Sequence, residues 1–552
     1  MVLTAWPAES VAMYRREGLW QGTPLGRLPW LLAAREQGAS HTVLTDEEGA
    51  IGAAELARRC DALADGFAAH GLRPGDNVLV QLPNFRDLFL TLFACARLGV
   101  RPVLLLPAHR EHEVAELADL ARAAAIIVPG RWRGHDHEAM AHTVAAGRPA
   151  LRRVFVAGEP RRTGSVPLRP LTEPGADPDA LRGRLDAAAP DPGDIALFLL
   201  SGGTTGTPKL IPRTHDDYLY NARRSAEICG FGEDTVYLCV LPASHNFPLA
   251  CPGVLGALIA GGRAVLTASP EPKNAFARIR DEGVTVTAVV PAVAQRWMTS
   301  VGTGESDVRD LAGLELIQVG GAPLAPSLAR RIAPVLGCRL QQVFGMAEGL
   351  LCYTRQDDPE ELVTGSQGRP LSDRDELLVV DGEGRPVAPG SSGELWTRGP
   401  YTIRGYYRAP EHNARAFAPD GWYRTGDVVT VLPSGHVVVE GRVKDLINRG
   451  GEKISAKEVE DLLYGLPQVQ QVAAVGASDD ELGERVAVCV VLHPGTTLGL
   501  VAIREFFNAR GVARYKIPER LELFTALPLT AVGKPDKKAL AAELAARTAE
   551  PR

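Results

Sequence analysis

The amino-acid sequence predicts an α/β protein. It has a large N-terminal domain with helix-covered, mainly parallel sheets and a β-rich subdomain, followed by a small α+β C-terminal domain. In the first third of the chain, helical patterns alternate with apolar runs of strand length, as in a parallel sheet covered by helices. From about Glu376 the pattern changes to short strands separated by turns. After the charged, glycine-containing segment Gly441–Gly451, a second and smaller set of strands and helices begins.

The elements of the large domain follow from the spacing of apolar residues. Its Pro-, Gly- and Arg-rich stretch Pro160–Pro192 is predicted to be a loose surface connection. The predicted helices and strands before the β-rich region are, in chain order, Ala53–His70, Val78–Leu82, Leu88–Leu98, Val103–Leu106 and Ile195–Leu200. Those that follow are Glu376–Val380, Glu394–Thr397, Val437–Val439, a helix from near Ala456, Val472–Val475, Val486–Leu492 and Val501–Arg510.

Composition excludes several classes of protein. The formal net charge of -6 and the pI of about 6.1 provide no basic surface for nucleic acid, and anionic lipid would repel such a chain. The N-terminal segment has no signal-peptide pattern, and the apolar runs are far shorter than the roughly 20 residues of a membrane span. The eight cysteines form no CxxC pair, which argues against a zinc site or a disulfide framework. We therefore expect a reduced, cytoplasmic protein.

A phosphate-binding loop is predicted directly after the apolar strand Ile195–Leu200. Glycines let the backbone approach an anion closely, hydroxyls donate to phosphate oxygens, and a lysine adds positive charge. The loop lacks the GxxxxGK[ST] spacing of a Walker A motif, and a flexible surface loop is the alternative interpretation. The candidate ATP-binding residues are Ser201, Gly202, Gly203, Thr204, Thr205, Gly206, Thr207 and Lys209.

This loop resembles the signature loop of the adenylate-forming superfamily, which includes acyl-CoA synthetases, luciferases and the adenylation domains of nonribosomal peptide synthetases. Four further motifs match that family in order: Gln342–Glu348, Gly421–Asp427, Gly441–Asp445 and Pro528–Lys534. The ordered co-occurrence of five motifs is far more specific than the loop alone. The resemblance implies that ATP, with Mg²⁺, activates a carboxylic acid as its acyl-adenylate and that a thiol then takes the acyl group.

The resemblance also implies roles at the nucleotide. Glu348 is expected to hold Mg²⁺, Asp427 to bind the ribose hydroxyls and Arg442 to provide a second nucleotide contact. Phe344 is expected to stack on adenine. Without the resemblance these would be taken for a surface glutamate, a turn aspartate, a solvated arginine and a core phenylalanine. The other residues implied at the nucleotide are Gly320, Gly321, Ala322, Gly345, Met346, Ala347 and Val439.

Lys534 is implied to catalyse adenylation, because an ammonium between the acid and the α-phosphate stabilises the charge that develops there. Lys444 stands where the family hinges a mobile C-terminal domain, so that one site serves two reactions. The predicted domains are therefore 1–443, with subdomains of roughly 1–190, 191–370 and 371–443, and 444–552. The alternatives are a solvated lysine at 534 and an ordinary linker residue at 444.

The segment Leu241–Val254 resembles that of the stand-alone aryl-acid adenylating enzymes of siderophore pathways. Family members that use α-amino acids carry an aspartate here, whereas this chain has His245-Asn246, which argues for an acid without an α-amine. His245 is implied as a catalytic residue at the carboxylate end, and Asn246 as a donor to the carboxylate or to an ortho-hydroxyl. A capped turn with a satisfied core histidine is the alternative. The predicted acid pocket consists of His245, Asn246, Phe247, Cys251, Val343, Gly345 and Leu351.

Cys251 and Leu351 indicate which aryl acid is activated. The resemblance places serine and valine at these positions in 2,3-dihydroxybenzoate enzymes, whereas salicylate enzymes carry the cysteine. A thiol is a weak donor that satisfies a ring 3-hydroxyl poorly, so a salicylate-like acid is expected. A neutral packing role for Cys251 is the alternative. Salicylate, a methylated salicylate, an aminobenzoate and a hydroxypicolinate all remain compatible with this pocket.

No carrier-protein domain follows Lys534, so the expected acceptor is the phosphopantetheine arm of a separate aryl carrier protein. Three alternatives stay open: a 2,3-dihydroxybenzoate–AMP ligase, an aryl-CoA ligase, and a non-catalytic adenylate-binding homologue. Retention of Lys534, Glu348 and Asp427 argues against the last of these. The sequence does not separate a siderophore pathway from an antibiotic pathway.

Overall fold

The computed structural model describes residues 4–35, 41–201, 208–449, 452–479, 482–510, 512–530 and 533–549. Within these ranges the strands form four large sheets and the small hairpin of Arg131–Trp132 with His135–Asp136. The α-helices are Ala8–Arg16, Leu28–Ala33, Ala53–Ala69, Arg86–Leu98, Glu111–Ala121, His137–Ala145, Pro178–Ala187, His215–Cys229, Asn246–Ala250, Gly253–Ala260, Pro272–Glu282, Pro291–Gly302, Pro326–Leu336, Glu360–Gly365, Pro410–Ala416, Ala456–Leu463, Leu500–Ala509 and Lys537–Ala549.

Two sheets form the centre of the large domain, and both are mainly parallel with antiparallel edge strands. The seven-stranded sheet has the spatial order Leu210–Thr214, Ile195–Leu200, Arg101–Leu104, Asn77–Val80, Ala125–Pro129, Arg153–Ala157 and Ser165–Pro167. The nine-stranded sheet has the order Arg369–Pro370, Leu351–Tyr353, Arg339–Gly345, Leu316–Gly320, Val286–Val289, Val236–Cys239, Arg263–Leu266, Thr42–Asp46 and Gly49–Gly52.

The central strands are buried on both faces, which explains their continuous apolar sequences. Every residue of Asn77–Val80, Ala125–Pro129 and Val286–Val289 is buried. Helices pack on these sheets. The helices Ala53–Ala69 and Arg86–Leu98 also pack against each other. The prediction of an α/β domain with mainly parallel, helix-covered sheets is confirmed.

The two central sheets exchange segments of chain. The N-terminal strand pair Thr42–Asp46 and Gly49–Gly52 joins the nine-stranded sheet, although the strands that follow it in sequence build the seven-stranded sheet. Conversely, Ile195–Leu200 and Leu210–Thr214 complete the seven-stranded sheet. Each central sheet therefore contains strands from both sides of the predicted limit near residue 190, and this limit does not separate the two sheets. The subdomain limits remain a prediction.

The last third contains two smaller sheets. The four-stranded antiparallel sheet has the order Glu376–Val380, Gly393–Arg398, Tyr423–Val431 and Val437–Arg442. The five-stranded sheet has the order Glu452–Ser455, Leu446–Arg449, Gly483–Leu492 and Val469–Asp479, with Arg520–Leu523 also paired to Gly483–Leu492. The five-stranded sheet has apolar clusters of its own, one around Ile503 and Phe507 and another around Leu540 and Leu544. A separate α+β C-terminal domain is thus confirmed.

The prediction of a loose connection at Pro160–Pro192 was wrong. This stretch contains the strand Ser165–Pro167 and the ten-residue helix Pro178–Ala187. Proline stands at the first turn of that helix, and the Asp177 side chain caps its start by accepting from the backbone N–H of Ala180. Leu185 is its buried residue, so the apolar repeat that would reveal the helix in the sequence is weak.

Candidate active site

The predicted phosphate loop leaves the edge of the seven-stranded sheet between two antiparallel strands. Gly202, Gly203, Thr204, Thr205, Gly206 and Thr207 lie outside the described residues. Both ends of the loop are described and are tied together: Ser201 N–H donates to the Lys209 carbonyl at 3.0 Å, and Lys209 N–H donates to Ser201 Oγ at 3.0 Å. Lys209 Nζ lies 6.0 Å from the centre of the Tyr406 ring.

Tyr406 connects this lysine to Glu348. Its hydroxyl donates to Glu348 Oε1 at 2.7 Å and lies 2.9 Å from the Tyr423 hydroxyl. Glu348 is 8% exposed, and burial raises its pKa above the usual range, an effect that the Tyr406 hydrogen bond and the charge of Arg442 partly oppose. A buried carboxylate of this kind favours a cation beside it, because a cation stabilises the ionised form.

Asp427 and Arg442 face each other across two antiparallel strands of the four-stranded sheet. Arg442 Nε lies 2.8 Å from Asp427 Oδ1, and the Asp427 side chain is 5% exposed while that of Arg442 is 44% exposed. Burial raises the pKa of Asp427, and the charges of Arg442 and Lys534 oppose that rise. The arginine and the nearby lysine therefore favour an ionised carboxylate that is ready to accept hydrogen bonds.

Lys534 comes to this pair from the C-terminal domain. Its backbone is held in a tight turn: Thr530 N–H donates to the Lys534 carbonyl at 2.7 Å, and Lys534 N–H donates to Thr530 Oγ1 at 3.2 Å. Burial and the charges of Arg442 and Lys444 lower the pKa of Lys534 to about 8, against the opposing influence of Asp427 and Asp445. Lys534 is half-buried, and its ammonium responds to the charges of the residues predicted to bind the nucleotide.

His245 lies close enough to Lys534 for the charge of the lysine to act on it. Burial, and after it the charge of Lys534, lowers the pKa of His245 to about 4, so the imidazole is neutral at pH 7. Its Nδ1 accepts from the backbone N–H of Phe247 at 3.3 Å and caps the helix Asn246–Ala250. Since Nδ1 is the acceptor, the ring proton is on Nε2, which makes this nitrogen a donor.

Asn246 and Cys251 form a small polar wall beside His245. Asn246 Nδ2 donates to Cys251 Sγ at 3.2 Å, and the thiol donates to the backbone carbonyl of Asn246 at 3.4 Å. Burial raises the pKa of Cys251 to about 12, so the group remains a thiol. The Tyr218 hydroxyl donates to Asn246 Oδ1 at 2.9 Å.

The apolar wall of the pocket depends on two glycines. A Cβ on Gly320 would lie 3.1 Å from Phe247 Cζ and 3.1 Å from Val343 Cβ, and a Cβ on Gly345 would lie 2.3 Å from Leu351 Cδ2. Strand register explains both contacts, because Gly320 pairs with Val343 and Gly345 pairs with Leu351. The structure therefore places the predicted acid-pocket residues together.

The predicted adenine residues also cluster. Phe344 and Met346 are half-buried and pack against an apolar cluster that includes Val439. Gly321, with a φ of 78°, and Ala322 follow the end of the strand Leu316–Gly320. The positive φ is the reason that a glycine suits this turn. Lys444 is exposed and lies in the short 3-10 turn Val443–Asp445, between the last strand of the four-stranded sheet and the first strand of the C-terminal domain.

Three residues that the structure brings to the site were not predicted from the sequence: Tyr406, Tyr218 and Arg213. Tyr406 lies inside the block Arg398–Tyr407, which also resembles the aryl-acid enzymes, but nothing local indicated that it contacts Glu348. Arg213 has one local signal. It is a charged residue in the buried strand Leu210–Thr214, four residues before Asp217, with which it forms an ion pair.

No helix among the described residues is at once long enough and apolar enough to cross a bilayer. No group of three or more His, Cys, Asp or Glu side chains in the described ranges is arranged to hold a metal ion. All eight cysteines lie within these ranges, and each is buried and free.

Comparison with known proteins gives extensive matches. A family model described as AMP-binding enzyme matches residues 32–407, and one described as AMP-binding enzyme C-terminal domain matches residues 458–534. A Streptomyces salicylyl-CoA synthase / salicylate adenylyltransferase is 55% identical over 535 residues, covering 97% of this chain and 96% of the relative. The Mycobacterium tuberculosis salicyl-AMP ligase / salicyl-S-ArCP synthetase is 44% identical over 549 residues, covering 98% and 94%. The apo structure of MbtA from Mycobacterium smegmatis matches with a TM-score of 0.74 and 43% identity over 98% of each chain.

Proposed function

The chain belongs to the AMP-binding enzyme family and adenylates an aryl acid with ATP, and we propose that this acid is salicylate or a close ortho-substituted relative. The observation that carries the proposal is the wall of Asn246 and Cys251, a neutral amide hydrogen-bonded to a thiol. The buried carboxylate nearby, Asp217, forms an ion pair with Arg213 at 2.7 Å, so it does not pair with a substrate ammonium. A pocket of this kind suits an uncharged ring with one ortho hydrogen-bonding group.

We assign the nucleotide to the cluster of Lys209, Glu348, Asp427 and Arg442. Asp427 has the buried, ionised carboxylate that accepts from two ribose hydroxyls, and Lys209 supplies positive charge at the foot of the phosphate loop. Glu348 fits Mg²⁺, because a hard cation prefers carboxylate oxygens and because a cation relieves the cost of burying this charge. Mg²⁺ held at Glu348 would neutralise phosphate charge.

In the proposed reaction, a carboxylate oxygen of the acid attacks the α-phosphorus, a new C–O–P linkage forms, and the bond from the α-phosphorus to the bridging oxygen breaks to release pyrophosphate. Lys534 stabilises the negative charge that accumulates during the attack. The N–H at His245 Nε2 holds the acid carboxylate in line. The two groups suit each other, since a neutral imidazole donates a hydrogen bond without adding a second positive charge beside the lysine.

Replacing Cys251 with serine is expected to raise the ratio of kcat/KM for 2,3-dihydroxybenzoate to that for salicylate roughly 5- to 100-fold. A serine hydroxyl hydrogen-bonds a ring 3-hydroxyl that the thiol satisfies poorly, a difference of roughly 1–3 kcal/mol. Acid-dependent pyrophosphate exchange measures both values. In the unmodified protein, salicylate should be the better of the two acids.

The matched control is Cys95→Ser, which makes the same change at a buried cysteine of the helix Arg86–Leu98, outside the pocket. It should leave the ratio unchanged. A Cys251→Ser protein that keeps the wild-type ratio, or a wild-type protein that prefers 2,3-dihydroxybenzoate, would contradict this assignment of the pocket.

For the acceptor, we propose the phosphopantetheine thiol of a separate aryl carrier protein. The name of the M. tuberculosis relative includes an aryl-carrier product, whereas that of the Streptomyces relative includes a CoA synthase, so free CoA is the second candidate. Transfer of radiolabelled salicylate to a holo aryl carrier domain is expected to exceed transfer to free CoA at least about tenfold in kcat/KM. The apo carrier, which lacks the thiol, is the control. Equal or faster transfer to CoA would identify an aryl-CoA ligase.

We also propose that Lys444 is the hinge between domains 1–443 and 444–552. Its position in the turn that joins two independent sheets supports this proposal. A rotation there would withdraw Lys534 and open its place to a thiol donor, as expected for an enzyme that runs two reactions in one site.

A further inference from the structure

Tyr218 makes a contact in the acid pocket that neither the reaction nor the resemblance assigns. It lies in the helix His215–Cys229, and its side chain is fully buried. Its hydroxyl donates to Asn246 Oδ1 at 2.9 Å, which occupies the carbonyl end of the amide. The nitrogen end of the same amide lies 3.2 Å from Cys251 Sγ. The two ends of Asn246 therefore meet two different partners.

These partners distinguish the two orientations of the amide. The Cys251 thiol donates its proton to the backbone carbonyl of Asn246 at 3.4 Å, so the sulfur has lone pairs with which to accept from Nδ2. If the amide were turned over, Oδ1 would face those lone pairs. The Tyr218 hydroxyl can both donate and accept a hydrogen bond. Here it donates to Oδ1, and Nδ2 is held toward the pocket. Nδ2 carries two protons, and one remains for a ligand after the bond to Cys251.

Arg213 holds Tyr218 in place from the other side. Its side chain and that of Asp217 are both 0% exposed, and the two are paired at 2.7 Å. The guanidinium carbon lies 4.9 Å from the centre of the Tyr218 ring, a cation–π distance. Arg213 Nη1 also donates to the Ala347 carbonyl at 3.0 Å, next to Glu348. The ring is thus fixed between a buried ion pair and the amide.

We propose that Tyr218, held by Arg213, is a positioning residue that fixes the Asn246 amide with an N–H toward the ortho substituent of the acid, and so determines the preference for acids with an ortho acceptor. In salicylate the ortho-hydroxyl proton turns toward its own carboxylate, which leaves the oxygen free to accept from Asn246 Nδ2. This inference rests on the proposed function, because it requires a salicylate-like acid in this pocket.

The test compares Tyr218→Phe with Tyr220→Phe. Tyr220 lies two residues along the same buried helix, and its hydroxyl donates to Ser372 Oγ at 2.7 Å. Each variant loses one buried hydroxyl with a neutral partner. Pyrophosphate exchange gives kcat/KM for salicylate and for benzoate, which lacks the ortho group, together with the KM for ATP.

Tyr218→Phe is expected to lower kcat/KM for salicylate roughly five- to tenfold, mainly through KM, while benzoate and the KM for ATP change less than about twofold. Tyr220→Phe should leave the salicylate-to-benzoate ratio unchanged. Equal losses on both acids in Tyr218→Phe, or the same change of ratio in Tyr220→Phe, would overturn the inference. Failure of the proposed function looks different, since the unmodified protein would then not prefer salicylate to benzoate.

Discussion

Replacing Lys534 with alanine is expected to lower the rate of adenylate formation by about 10²–10³-fold, the usual loss when one preorganised charge donor is removed from a transition state. Aryl transfer from preformed aryl-AMP to the thiol should stay within about threefold of wild type. The reason for the split is the domain to which the lysine belongs. Lys534 comes from the C-terminal domain, its charge acts on both Asp427 and His245, and it is not expected there when the thiol arrives.

Pyrophosphate exchange measures the first half-reaction, and quenched single-turnover transfer from synthetic aryl-AMP measures the second. Lys538→Ala is the matched control, because Lys538 is an exposed lysine on the same segment. It should leave both rates near wild type. Equal losses in the two half-reactions of Lys534→Ala would mean that the lysine holds the structure together instead of serving the adenylation step.

The sequence predicts residues that act through their own chemistry better than those that act through a distant partner. Glu348, Asp427, Lys534 and Asn246 were all predicted, because each lies in a motif of residues adjacent in the chain. Tyr406 was missed because its partner Glu348 is 58 positions away and the fold alone brings them together.

The same distinction explains Tyr218, whose hydroxyl meets Asn246 28 positions later in the chain. A buried tyrosine on a helix is usually a core residue, and only the placement of the amide shows that its hydroxyl has a specific partner. Arg213 is similar, since its buried pair with Asp217 is local, whereas its contacts with the Tyr218 ring and the Ala347 carbonyl depend on packing.

The helices and strands show the same difference between features that have a local sequence signal and features that have none. A strand buried on both faces has a continuous apolar sequence, so Ile195–Leu200 was predicted with the bounds that the structure gives it. The bounds of the less buried strand Glu376–Val380 were also predicted. The helix Pro178–Ala187 was missed because it covers the surface with charged residues and buries chiefly Leu185. The exchange of strands between the two central sheets has no local signal, because strand order depends on crossovers and not on composition.

The charges around Lys534 are balanced against one another. Burial and two cations lower the pKa of this lysine to about 8, and the carboxylates of Asp427 and Asp445 prevent a larger fall. The group is protonated below pH 8 and neutral above it. Since only the ammonium stabilises the developing charge, kcat/KM for adenylation should fall as the pH rises through about 8, a limb that reports the free enzyme. Asp427 therefore has a second effect beyond ribose binding, since it keeps the catalytic lysine charged.

Replacing Asp427 with asparagine is expected to have two measurable effects. First, kcat/KM for ATP should fall about 100-fold at pH 7, since a charge-assisted hydrogen bond to a ribose hydroxyl is worth roughly 1.5–3 kcal/mol. Second, the alkaline limb of the profile should move to lower pH, because removal of the carboxylate leaves the charge of Arg442 unopposed and lowers the pKa of Lys534 further. Pyrophosphate exchange from pH 6 to pH 9.5 measures both effects.

Asp445→Asn separates the two effects of Asp427. Asp445 also raises the pKa of Lys534, but it lies in the turn Val443–Asp445 and is not one of the two residues, Asp427 and Arg442, that we assign to the ribose. Its removal should therefore move the alkaline limb in the same direction as Asp427→Asn, while the KM for ATP stays within about threefold of wild type. If Asp427→Asn weakened ATP binding and left the limb at its wild-type position, the carboxylate would be a ribose ligand alone. The pKa of Lys534 would then be set by burial and by the neighbouring cations, with no contribution from Asp427.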